Sequence, residues 1–559
     1  MRVPLAQDRE SMSKSLQSLL EPFYDNQAPS TSRVDPSVQT KKPEPIGLRN
    51  AYQYVPFVVN QAKSIATTLF HHQVYGPPKK SWGLEMSLFT TFLRASAAYS
   101  HLTDMSMLRK FIHVGAILPA PKDGIVTPVS FKVKRRGLKG FLKEWDDKED
   151  GTRELTGEWV ITRRLWRSMQ EDYKGKDVNG REKVILYVHG GAYFSMNAQT
   201  HRPLTIALSK YTDTRLFVVN YRLSPEFLFP APLHDIVASY LRLIHDLKIP
   251  PEDIIFAGDS AGGGLALATM LYLKDEGYPL PLGAMLMSPW VDLTMSSDSW
   301  EKNAPWDYIP QVMQDDHLHP VKLYLGANIE KYLTHPYASP IFGDFKGLPP
   351  LLIQAGDAEV LRDEATLIAH KASLAGVPVV HEIYEDAVHV FQAFLFLEAS
   401  KKALRSMREF VHHLKRRKPS EPSSQLNKQK VDEEIFLDAH RIQEDGKASG
   451  RRLVPRSSSS TTLKDQRQPP LTSLSDEEDN TDSDDEVDSS EEGEVEGRRL
   501  EPADSGESSF WMRSPIQPLT ASMPSRETGD TTHHAPQPGS RSPKHPDDVL
   551  LQQPGFGFF

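Results

Sequence analysis

Between Arg181 and Lys415 the chain alternates short apolar runs with longer amphipathic stretches. Val184–Val188, Leu216–Tyr221, Ile254–Ala257, Ala284–Met287, Leu351–Gln354 and Val379–Tyr384 are the apolar runs, each short enough to be a buried strand. Thr200–Tyr211, His234–Leu247, Ala261–Asp275 and Asp363–Ala375 lie between them with helical patterning, and Gln392–Leu414 closes the region as a long helix. This alternation predicts an α/β domain over residues 166–417, with a mainly parallel central sheet and helices on both faces.

The flanks read differently. Over residues 46–165 the pattern is mixed. Leu84, Leu88, Phe92, Ala95 and Tyr99 recur at helical spacing, and Lys143 to Thr152 is a charged loop. We expect an N-terminal helical cap there. Residues 1–45 are rich in Ser, Pro, Gln and charge and predict a disordered arm. In the 142 residues 418–559, Leu, Ile, Val and Phe number 23, about 16%, below the ~20% under which a packed core is not expected. With 14 prolines, this predicts a disordered Ser/Pro/acidic tail.

Composition narrows the function. The net charge is −9, but Asp476 to Glu496 carries 13 acidic residues and no basic one; the remainder stands at +4, so no nucleic-acid surface is indicated. Cysteine is absent, which excludes disulfides, a thiol nucleophile and Cys-ligated zinc. No apolar run reaches the ~18–20 residues of a membrane span, and the first residues lack the apolar core of a signal peptide. A soluble cytoplasmic protein is expected, with peripheral contact to the endoplasmic reticulum or a lipid droplet left open. Lys415 to Lys418 reads as the basic end of a helix in preference to a nuclear import signal. Ser475, Thr481, Ser483 and Ser489 each precede an acidic residue by three; a solvated tail is the preferred reading, with phosphorylation or protein partners as the alternative.

One segment carries chemistry. Gly258-Asp259-Ser260-Ala261-Gly262 follows a predicted strand and opens a predicted helix, the context of a G-x-S-x-G nucleophile elbow. His189-Gly190-Gly191-Ala192 follows the strand Val184–Val188, where small residues let backbone N–H groups reach a substrate carbonyl. A serine nucleophile needs a base and an orienting acid. His389 lies five residues after the last predicted strand, and Asp357, Glu359 and Asp363 follow the strand before it, giving the chain order Ser, acid, His. His189 reads as structural support for its loop.

Four separated motifs resemble the hormone-sensitive-lipase-like branch of the α/β-hydrolase superfamily, which includes arylacetamide deacetylases, bacterial and fungal carboxylesterases and the yeast steryl acetyl hydrolase. They are His189-Gly190-Gly191-Ala192, Tyr221-Arg222-Leu223-Ser224-Pro225-Glu226, Gly258-Asp259-Ser260-Ala261-Gly262 and Leu361-Arg362-Asp363-Glu364, joined by Ser288-Pro289-Trp290. The resemblance implies Ser260 as nucleophile, His389 as base and an oxyanion hole from the N–H groups of Gly190, Gly191 and Ala261. It implies a structural corner at Tyr221–Glu226. The branch places its acid two before the Leu of an Asp-Pro-Leu-Arg-Asp run, which here is Glu359. Asp357 stays open as the second candidate, because alternate residues of an extended chain point to the same side.

These readings converge on a serine carboxylic-ester hydrolase acting on a small-molecule ester, such as a short-acyl ester of an apolar alcohol. No metal or organic cofactor is implied. The rival is a catalytically silent hydrolase-like protein that binds a ligand or serves as a scaffold.

Overall fold

The computed structural model of the protein describes residues 17–41, 52–97, 99, 102–115, 121–174 and 183–416. The tail 418–559 and its acidic run lie outside the described residues.

Eight strands form one sheet: β1 (Gly124–Lys132), β2 (Glu154–Thr162), β3 (Val184–Val188), β4 (Arg215–Asn220), β5 (Ile254–Asp259), β6 (Gly283–Met287), β7 (Leu351–Gly356) and β8 (Val379–Tyr384). Their order is β1-β2-β4-β3-β5-β6-β7-β8. β2 runs antiparallel to both neighbours, and β4 through β8 are parallel. The six expected strands are all present, each within a residue or two of its predicted bounds at either end.

Side-chain alternation explains the two-faced burial. Val184, Leu186 and Val188 of β3 join one core cluster, whereas Ile185 and Tyr187 join another on the opposite face. Ile236, Leu265 and Ile368 cover the first face from three helices: α5 (Ala231–His245), α6 (Ser260–Asp275) and α7 (Arg362–Leu374). Leu204 and Leu208 of α4 (Arg202–Thr212), with Leu404, Met407 and Val411 of α8 (Glu398–Arg416), cover the second. Both strand faces are therefore dry, as parallel sheets require.

Three further helices precede the sheet: α1 (Val55–Tyr75), α2 (Leu84–Ala97) and α3 (Met105–Gly115). The expected helix on the Leu84 stripe is thus α2. The helical reading of 46–165 holds through α3 and fails from Gly124, because β1 and β2 lie in that range and extend the sheet. β1 pairs on one side only and carries Pro128, a residue tolerated at a sheet edge and contrary to a central-strand pattern.

The disordered arm expected over 1–45 is also corrected for residues 17–41. Leu20, Phe23 and Val34 are buried in the first core cluster, and the Phe23 ring meets Phe342 edge-on at 5.3 Å. Arg33 N–H donates to Thr294 O at 2.9 Å, and its guanidinium donates to Met295 O and Ser297 O. Three apolar residues spaced through a polar stretch are enough to anchor it, and no helical or strand period announces them. Phe23→Ala is expected to destabilise the protein by about 3 kcal/mol, lowering the melting temperature by several degrees. Thermal unfolding followed by circular dichroism checks this.

Candidate active site

The turn from β5 into α6 places Ser260 at φ +53°, in the left-handed region. That strained conformation at the strand–helix junction is what lifts a nucleophile out of the turn. The two elbow glycines are required by close approach. A Cβ on Gly258 would lie 2.6 Å from Gly262 O, and a Cβ on Gly262 would lie 2.1 Å from Val188 O and 2.4 Å from His189 O. Trp290 N–H holds the Ser260 carbonyl at 2.9 Å.

Behind the serine, Asp259 is buried and accepts three donors. Tyr187 OH and Gly190 N–H reach Oδ1 at 2.7 and 3.1 Å, and His201 Nε2 reaches Oδ2 at 3.3 Å. Burial alone would lower the His201 pKa, but the Asp259 carboxylate outweighs it and holds His201 above its ordinary value. Asp259 in turn sits below the usual carboxylate range, because the His201 charge and these hydrogen bonds overcome its desolvation.

This network corrects one expectation. The Gly190 N–H is taken by Asp259 Oδ1, so it is not free for a substrate oxygen. Gly191 (φ +106°) and Ala192 (φ +52°) continue the loop, and among the described residues no hydrogen bond takes the N–H of either. Ala261 lies in the first turn of α6, where amide donors have no intrahelical partner. His189 supports the loop from below: Nδ1–H donates to Gly190 O at 2.8 Å, and Tyr221 stacks on its ring at 4.2 Å while donating to its carbonyl. Burial, then the neighbouring His201, push the His189 pKa down to about 3, so the ring is neutral. The Tyr221–Glu226 corner is fastened by Arg222, whose guanidinium forks onto the buried Asp235 carboxylate at 2.8 and 2.9 Å.

The acid and base loops meet at the ends of β7 and β8. Asp357 N–H donates to Tyr384 O and Ala358 N–H to Ala387 O, each at 3.0 Å. A Cβ on Gly356 would sit 2.0 Å from Ala387 O. Glu359 Oε2 accepts Ser288 Oγ–H at 2.6 Å and Gly356 N–H at 3.1 Å. Ser288 Oγ also accepts Val390 N–H at 3.0 Å, so one hydroxyl bridges Glu359 to the residue after His389. Glu359 Oε1 and His389 Nδ1 are both buried without a hydrogen bond among the described residues. Burial pushes the His389 pKa down to about 4, against a pull from Asp259. Burial raises Glu359 well above its ordinary value, helped by the charge of Asp307.

Asp357 Oδ1 is likewise buried without a hydrogen bond among the described residues. Burial pushes its pKa up to about 6, and the charges that act on it are Lys79, Asp386 and Arg362. Asp363 accepts Ser299 N–H at 2.9 Å and pairs with Arg362 at 2.7 Å, a structural assignment. The cap segment reaches this region too: Trp82 Nε1–H donates to Asp386 O at 2.7 Å, and Trp82 and Met86 pack on Val388. From α3, Arg109 donates to Phe194 O at 2.7 Å and clasps Glu226 at 2.8 and 2.9 Å. Sequence reasoning missed Ser288 as a bridge and Asp307 altogether. Ser288 stood inside a quoted motif; Asp307 lies in an aperiodic loop with no local signal. No group of three or more His, Asp or Glu among the described residues could hold a metal.

A family model described as an alpha/beta hydrolase fold matches residues 185–393. An acetyl-hydrolase of Streptomyces hygroscopicus is 39% identical over 214 residues, 37% of this chain and 68% of that protein. An esterase of Acinetobacter venetianus is 36% identical over 239 residues, covering 42% and 75%. A crystal structure of an esterase/lipase from an uncultured bacterium is 31% identical, aligned over 60% of this chain and 99% of its own, with a TM-score of 0.48. The Streptomyces and Acinetobacter relatives, each at least 36% identical and covered over two thirds or more of their length, show that the chain belongs to the α/β-hydrolase family; its motifs resemble the hormone-sensitive-lipase-like branch. It is a carboxylic ester hydrolase. Among the described residues no helix is long and apolar enough to cross a membrane.

Because the contact at Gly262 is to backbone, a methyl group there cannot be relieved by a side-chain rotation. Gly262→Ala is expected to displace the elbow, costing about 1–3 kcal/mol of stability and at least tenfold in ester turnover. Parallel melting curves and nitrophenyl acetate assays test it.

Proposed function

We propose that Ser260 attacks the ester carbonyl, that His389 takes its proton, and that Glu359 orients the imidazole. The observation that carries this is a serine at positive φ on the strand–helix elbow, together with His389 Nδ1 and Glu359 Oε1, both buried without a hydrogen bond among the described residues. Ser288 supports the reading by tying the Glu359 carboxylate to the His389 loop. In the free enzyme Ser260 and His389 share no direct hydrogen bond among the described contacts; such bonds commonly tighten only with substrate bound.

The steps follow from these roles. Attack by Ser260 Oγ builds a tetrahedral centre whose oxyanion is held by the N–H groups of Gly191, Ala192 and Ala261. The imidazolium, charge-matched by Glu359, returns its proton to the leaving alcohol. Water, deprotonated by His389, then releases the acid from the acyl-enzyme. The substrate class we favour is short-acyl esters of apolar alcohols. It is supported by the acetyl-hydrolase among the relatives and by the apolar cap side chains Trp82, Met86 and Phe89, which pack beside the His389 loop.

Purified protein is expected to hydrolyse nitrophenyl acetate and butyrate faster than long-chain esters, and Ser260→Ala to abolish turnover. Wild-type turnover in the alanine variant refutes the nucleophile; a preference for long chains refutes the substrate class.

The acid is tested separately. Glu359→Gln should lower kcat by up to ~10⁴-fold, whereas Asp357→Asn, at a carboxyl facing Lys79 and Asp386, should stay within about tenfold of wild type. The reverse pattern in folded proteins would assign the role to Asp357.

A further inference from the structure

Asp307 is fully buried, and the steps above give it no task. It lies in the loop after the short helix Ser299–Lys302, and its carboxylate accepts main-chain N–H groups from three segments. Oδ1 accepts Tyr308 N–H at 2.8 Å and His389 N–H at 3.3 Å, and Oδ2 accepts Val360 N–H at 2.8 Å. Four residues earlier, the Asn303 amide donates to Asp357 O at 2.9 Å and to Glu359 O at 2.7 Å. Segment 303–308 thus grips the acid loop on either side of the Glu359 side chain and grips the base loop at His389 itself.

We propose that Asp307 is a positioning residue for ester hydrolysis: its buried carboxylate locks the Glu359 loop and the His389 loop into one unit and sets the place of the imidazole. The proposal rests on the Ser260–His389–Glu359 reading. Its physical basis is that three amide donors converge on one anion in a dry interior, so its loss leaves buried N–H groups unsatisfied in both loops at once. Displacements of ~1 Å in catalytic groups can cost on the order of 10²-fold in rate. The nearby charges fix the sign of a second effect. Asp307 is faced by the Glu359 carboxyl, by Tyr308 and, from α2, by the Arg94 guanidinium; Glu359 is faced by Asp307, Ser288 and Arg362. Burial pushes Asp307 up to about 6 against the pull of its N–H donors. Its charge raises the Glu359 pKa, so removing that charge lets Glu359 ionise at lower pH.

The test compares full-length wild type, Asp307→Asn and Asn303→Ala in nitrophenyl acetate hydrolysis from pH 5 to 9, with melting curves. Asp307→Asn is expected to lower kcat at least tenfold with KM within threefold, and to move the acid limb of the kcat/KM profile to lower pH. Asn303→Ala should lower kcat with the acid limb in place. A purely structural Asp307 would lower the melting temperature alone, so a kcat within twofold of wild type, or an unmoved acid limb, overturns the proposal. Hydrogen exchange on the wild-type protein needs no variant to fold. Peptides spanning Val360 and His389 should exchange slowly at neutral pH, and exchange at the rate of unprotected amides overturns the proposal equally. Turnover surviving in Ser260→Ala refutes the triad reading; a dead Ser260→Ala beside a fully active Asp307→Asn refutes the positioning role alone.

Discussion

The Asp259 carboxylate is the interaction on which the nucleophile side of the site depends. It sits where β5 ends, yet it binds the Gly190 amide of the loop after β3, the Tyr187 side chain within β3, and His201 at the entry of α4. A carboxylate with no exposure is costly unless its lone pairs are filled and a cation is near. Here both conditions are met. The same crowding explains Gly190, since a Cβ there would lie 2.2 Å from Asp259 Oδ2. The Gly190 loop, the His201 turn and the elbow are therefore joined beneath Ser260 through one buried carboxylate.

The other half of the site is built on a different principle. Among the described residues no ion pair joins the Glu359 and His389 loops; they are held by main-chain hydrogen bonds and by the two-sided Ser288 hydroxyl. Glu359 Oε1 and His389 Nδ1 are buried without a hydrogen bond among the described residues. An unpartnered buried polar atom costs stability, and each of these two loops retains at least one. The cap takes part in that arrangement, since Trp82 is bonded to the turn at Asp386 that aims the base loop.

How much of this was legible in the sequence differs between parts for physical reasons. The six parallel strands are buried on both faces, so their apolar runs are uninterrupted and their bounds could be read closely. Ser260 could be placed because its elbow needs small residues at fixed spacing. β1 and β2 were lost because an antiparallel edge carries weaker alternation, and Pro128 argues against a strand. Phe23 and Val34 were lost because isolated apolar residues carry no period. Gly190 was expected to offer its N–H to a substrate oxygen, and only the fold shows that Asp259 Oδ1 takes that N–H. Asp307 had no signal at all. Its meaning comes from loops that are 53 and 82 residues away in sequence.

The docked N-terminal segment has a consequence for the order in which the molecule can be made. Phe23 finds its partner ring at Phe342, Arg33 its acceptors at Thr294 to Ser297, and the Lys41 N–H its acceptor at Asp315. At ~5–20 residues per second, the ribosome needs on the order of 15–60 s to supply those partners after the segment has emerged. During that time Leu20, Phe23 and Val34 have nowhere to go. A segment that leaves the tunnel long before its partners is among the last parts that can be buried, so residues 17–41 seal the domain once its C-terminal half exists.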